Sequence, residues 1–87
     1  MSPEQRELLR LALLRVMDAN QTGRGLGAGS LTFLIGRFGA SASIEEINAE
    51  LVYLADKGFV TAVQKAISPE LTAWRITAAG RDWIAQN

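Results

Sequence analysis

Apolar residues recur at helical spacing up to Lys57 and switch to a strand-like pattern after Gly58. In the first stretch Gln5, Leu8, Leu9, Ala12, Leu13 and Val16 share one broad side, which predicts a helix over 3–19. Ser2 stands as its N-cap, Pro3 suits the first helical position, and Gln5 completes a capping box. Asn20-Gln21-Thr22-Gly23 stops it. Leu31, Leu34, Ile35 and Phe38 predict a short second helix over 31–38. Gly36 weakens that helix intrinsically, which makes sense if another backbone passes close, and Gly39 ends it. A third helix over 44–57 opens with a second capping box, Ser43-Ile44-Glu45-Glu46. Its buried stripe is Ile44, Ile47, Leu51 and Leu54, and Gly58 closes it.

Beyond Gly58, Phe59-Val60-Thr61-Ala62-Val63 and Ala73-Trp74-Arg75-Ile76-Thr77 are rich in β-formers, which predicts strands over 60–63 and 73–77. Ser68-Pro69-Glu70 between them is a turn signal, so the two strands form an antiparallel hairpin. Thr77 caps a last helix over 78–86 that buries Trp83 or Ile84. Trp74 and Trp83 are placed in core packing rather than as stacking platforms. Glycine stands at every second position from Gly23 to Gly29, yet no phosphate-binding motif results. No Lys-Ser or Lys-Thr follows, a helix rather than a strand precedes, and Ala28 or Ser30 stands where a dinucleotide fingerprint needs its third glycine. The segment reads as a connector.

This order of elements resembles the winged helix-turn-helix superfamily of MarR-, ArsR- and PadR-type regulators. Leu51-Val52-Tyr53-Leu54-Ala55-Asp56-Lys57-Gly58-Phe59-Val60 is similar to the superfamily's recurring L-x-x-L-x-x-K-G-hydrophobic-V, where the third helix leads into the first wing strand. Arg75-Ile76-Thr77-Ala78-Ala79-Gly80-Arg81 is similar to its hydrophobic-T-x-x-G-R at the entry to the following helix. The resemblance spans about residues 31–84 and implies a fold that is mainly α with a two-stranded β wing, in the order α-α-α-β-β-α. One departure is the longer turn Phe38-Gly39-Ala40-Ser41-Ala42-Ser43 before the third helix. The Ser2-Pro3-Glu4-Gln5 start, together with these two motifs, also resembles small proteins of Mu-like prophages, which implies a bacterial or phage origin.

An 87-residue chain of ordinary apolar content is expected to form one domain over 1–87. It contains neither cysteine nor histidine, so disulfides, thiolate sites and every Ser-His or Cys-His nucleophile are ruled out. No catalytic residue, cofactor or metal is expected, and the chain reads as a binding protein rather than an enzyme. The remaining enzymatic reading is a carboxylate metal site on Glu45, Glu46 and Glu50, where Glu46 and Glu50 share a face at i, i+4. No histidine supports it, and a solvated acidic face is the ordinary explanation. The start of the chain is not a signal peptide, and no stretch approaches the roughly 18–20 apolar residues that span a bilayer. The expected location is the cytoplasm, with no membrane partner.

Nine basic residues balance nine acidic ones, so any pull toward nucleic acid must come from uneven placement. In winged helices that bind DNA the third helix enters the major groove, and affinity comes chiefly from lysines and arginines on phosphates. Opposite the buried stripe, the third helix carries Glu45, Glu46, Ala49, Glu50, Tyr53, Asp56 and Lys57, four carboxylates against one ammonium. Phosphate rails would repel such a face. Outside 43–58 eight basic residues face five acidic ones, and the candidates for phosphate contact are Arg24, Arg37, Lys65 and Arg75. Two partners therefore stay open: DNA through the wing and the flank of the second helix, or a basic protein on a patch of Glu46, Ala49, Glu50, Tyr53 and Lys57. The resemblance favours the first and the charge favours the second. A homodimer is also expected, because Leu11, Leu14 and Met17 fall on the polar side of the first helix. The rival reading is that the last helix folds back over them.

Overall fold

A computed structural model describes residues 2–21, 23–64 and 72–86. Helix α1 runs Pro3–Ala19 and begins with the expected capping box: Gln5 N–H donates to the Ser2 hydroxyl and Ser2 N–H to the Gln5 side chain. It ends at Asn20, whose backbone and side-chain N–H groups both donate to the Val16 carbonyl. Strand β1 is Leu26–Gly27, helix α2 is Ala28–Leu34, and a 3₁₀ turn occupies Ile35–Phe38. Helix α3 is Ile44–Asp56, strands β2 and β3 are Val60–Gln64 and Ala73–Ile76, and helix α4 is Ala78–Ala85. The described part is thus mainly helical with one small antiparallel sheet. The turn placed at 68–70 and Lys65 lie outside the described residues.

The sheet has three strands, not two. Its order is β1-β3-β2, and Leu26 and Gly27 of the glycine-rich segment pair with Trp74 and Ala73. The expected connector is therefore part of the fold. Gly25 explains how: it lies at φ 74°, and a Cβ there would stand 2.7 Å from the Trp74 carbonyl oxygen. Only a residue without a side chain lets the chain come this close to β3. Helix α2 accordingly starts at Ala28, three residues before its expected position, and tightens into the 3₁₀ turn at Ile35. No backbone passes near Gly36, contrary to expectation, while Gly39 at φ 76° does end the segment.

The core is built around α1, which touches α2, the 3₁₀ turn, α3, β3 and α4. Leu9, Ala12, Leu13, Leu14, Val16 and Met17 of α1 pack with Leu31, Ile35, Ile47, Leu51, Leu54, Val60 and Ile76. Trp74, Trp83 and Ile84 lie half-buried against this core. The buried arc of α1 is thus rotated relative to the expectation: Leu8 is 64% exposed, whereas Leu14 is fully buried. A helix covered on several sides buries more than one stripe. This corrects the dimer argument, because Leu14 and Met17 are inside the chain and Leu11 is half-buried. Ile44, expected in the buried stripe of α3, is exposed, and so is Phe38. Among the described residues no helix is long and apolar enough to cross a membrane.

Candidate functional site

The two sequence motifs, at 51–60 and 75–81, meet in space. Thr77 N–H donates to the Phe59 carbonyl, 3.0 Å, and its hydroxyl donates to the Gly58 carbonyl, 2.6 Å. The same hydroxyl accepts from Gly80 N–H and caps α4. Gly58 at φ 79° makes the turn out of α3, and a Cβ at Gly80 would collide with the Phe59 carbonyl oxygen. The motif residues therefore lock the start of α4 onto the end of α3. Their work is structural, and the functional groups stand beside them.

On α3 the outward face differs from the expectation at its centre. Glu50 is only 8% exposed, and Arg10 Nε donates to its Oε2 over 2.6 Å. A second nitrogen of Arg10 reaches Glu7 at 3.0 Å, and the guanidinium lies 3.8 Å from the centre of the Tyr53 ring. The hydrogen bond to Glu50 holds the Arg10 pKa above its ordinary value. Glu50 is thus neutralised inside the fold and is not part of a partner face. Glu46 is exposed but engaged: its carboxylate accepts from Ser43 N–H, which lowers its pKa. Of the three carboxylates considered for a metal, Glu46 and Glu50 are therefore engaged by different partners, and no group of three ligand residues occurs among the described residues.

The face that remains open on α3 carries Glu45, Glu46, Ala49, Asp56 and Lys57 around Val52 and Tyr53. Val52, 54% exposed, was missed among the candidates although its position between Asn48 and Asp56 places it on that arc. Beside Tyr53 a cleft of about 200 Å³ lies between α1, α3 and α4, with Lys57, Phe59 and Trp83 in its wall. The Phe59 and Trp83 rings are 5.7 Å apart.

A larger groove, about 560 Å³, opens on the far side of the sheet. Strand alternation explains its wall: Val60 and Ile76 are a buried pair, so their neighbours Thr61 and Arg75, also paired, point outward. Gln21 and Gly23 from the loop after α1, and Thr77, Ala78 and Arg81 from the α4 start, complete the lining. Arg75 and Arg81 are exposed and, among the described residues, neither has an ion pair. Among the described residues no carboxylate is in the lining. Gln21 holds Asp18 just outside it, donating to its backbone and side-chain oxygens.

Of the sequence candidates, Arg75 lines this groove and Arg24 follows the lining residue Gly23. Arg37 is exposed on the 3₁₀ turn and is not in the lining. Arg81 was missed, because in the sequence it reads only as the end of a motif. No family model matches the chain, and no curated protein or solved structure matches it.

Proposed function

We propose that this chain is a non-enzymatic nucleic-acid-binding module of the winged-helix kind used by bacterial and phage regulators. The observation that carries this reading is the placement of charge. Arg75 and Arg81 line one groove, Arg24 follows its lining residue Gly23, and all three are exposed without ion-pair partners among the described residues. Exposed arginines that no carboxylate has claimed are the groups that neutralise phosphates. The element order, the two motifs and the lock at Thr77 support the winged-helix part of the proposal. Contact is made through the sheet end and the hairpin, with the α2 flank and Arg37 at its margin. Helix α3 does not read bases: Glu45 and Asp56 stay exposed on it and would face the phosphate rails.

The test is anisotropy of a labelled mixed-sequence duplex over a salt series. Binding should weaken steeply with salt, Arg75→Ala should weaken it further, and Glu45→Ala or Asp56→Ala should leave it unchanged or tighten it. Absence of binding at low salt, or its loss in folded Asp56→Ala, would refute the reading. The exposed Val52 and Tyr53 within an acidic rim favour a second reading, a docking face for a basic protein segment. On that reading Val52→Glu abolishes partner binding and leaves the duplex untouched.

A further inference from the structure

We infer that the groove between β2, β3 and α4 is a phosphate site in which Arg81 acts together with Arg75, an inference that rests on the nucleic-acid reading for its source of phosphate. Strand β3 carries Arg75 outward and the first turns of α4 bring Arg81 to the same groove, although a strand-to-helix junction separates them in the chain. That junction is fixed. Thr77 is bonded to both Gly58 and Phe59, and Gly80 leaves no gap under the Phe59 carbonyl. The two guanidiniums are therefore presented by a rigid corner, which lowers the ordering cost of using them together.

The chemistry of the wall selects for an anion. Two planar cationic forks that, among the described residues, have no ion-pair partner and no carboxylate in their lining match the tetrahedral oxygens of a phosphate. Thr61, the cross-strand neighbour of Arg75, adds a hydroxyl that no described group engages. Thr77 contributes no such donor, since its hydroxyl is committed to Gly58. A volume of about 560 Å³ exceeds a lone phosphate and accommodates a phosphodiester with its sugars.

The test uses the full chain with two probes, a labelled mixed-sequence duplex and inorganic pyrophosphate. Arg81→Ala should weaken the duplex by roughly 3- to 10-fold and flatten the log–log salt slope by about one unit, as Arg75→Ala does. Arg6→Ala, near the far end of α1, should change neither. Arg81→Lys, which keeps the charge without the fork, should recover part of the loss. Pyrophosphate should shift the amide signals of Thr61, Arg75 and Arg81, and these shifts should vanish in Arg75→Ala/Arg81→Ala. If the wild type binds duplex and folded Arg81→Ala binds it with equal affinity and slope, the groove is not the contact, and the nucleic-acid reading survives alone. If pyrophosphate binds there and duplex does not, the phosphate site stands with a free phosphate as its ligand, and the nucleic-acid reading falls. If neither probe binds, both are overturned.

Discussion

Arg10 is a charged side chain of α1 that ends up between α1 and α3, paired with Glu50 and stacked on Tyr53. Removing the carboxylate leaves a largely covered guanidinium whose remaining ionic partner among the described residues is the exposed Glu7. Charge-assisted hydrogen bonds contribute about 1.5–3 kcal/mol, so Glu50→Ala should destabilise the chain by about that amount in urea unfolding. A change below about 0.5 kcal/mol would mean the pair is solvated and unimportant. Two glycines make an opposite pair. At Gly36 nothing lies within 4 Å of an added Cβ, and its φ is not positive. Gly36→Ala should therefore stabilise by about 0.4–1 kcal/mol through the unfolded chain. Helix propensity alone argues the same for Gly80, by about 1 kcal/mol. There the Phe59 carbonyl blocks the new methyl, and overpacking against backbone costs about 1–3 kcal/mol. Thermal melts should move up for Gly36→Ala and down for Gly80→Ala, by about 4–8 °C per kcal/mol.

At the scale of elements, α3 depends on its first turn. Ser43 accepts from Glu46 N–H and Glu46 accepts from Ser43 N–H, so two otherwise unpaired donors are satisfied reciprocally. Ser43→Ala should cost about 1 kcal/mol. The same box makes stability depend on pH. Glu46 titrates below its ordinary 4.5 because Ser43 N–H donates to it. A carboxyl whose folded pKa is depressed stabilises fully above its unfolded value, and the contribution is lost as pH falls through the folded one. Glu46→Gln keeps the acceptor and removes the titration. Its stability should therefore fall less steeply than wild type on the acid side of pH 4.5, and an identical acid limb would detach the box from the pH response. Both capping boxes were legible in the sequence because every partner lies within three residues. Strand β1 was not, since a two-residue strand has no periodicity and exists only by pairing with Trp74 and Ala73.

For the whole molecule, the consequence of the core around α1 is that a second copy is not needed to cover Leu14 and Met17. Leu14→Ala should cost about 2–5 kcal/mol by leaving a cavity, and Leu8→Glu, at an exposed site, should be tolerated. Sedimentation at micromolar concentration should give a monomer whose mass does not change with Leu8→Glu. A dimer that dissociates in that variant would instead place an interface on the α1 side that faces solvent. The separation of charge is also a property of the whole: α3 keeps the acidic surface while the groove beside the sheet brings together arginines from β3 and α4.

The sequence by itself determined where α1, α3 and α4 begin, where the strand pattern starts, and that no histidine or cysteine chemistry is present. These follow from caps, turns and periodicities whose partners are near in the chain, so local spacing reports them. Only the tertiary structure decided which side of α1 is buried, because that depends on five elements closing around it. It also took Glu50 out of the acidic face, through an arginine 40 residues away. The groove is of the same kind. Arg75 was a candidate and Arg81 was not, since nothing in their spacing shows that a threonine bonded to Gly58 and Phe59 turns both toward one space. Contacts between distant residues are set by packing, and packing leaves no period in the sequence to read.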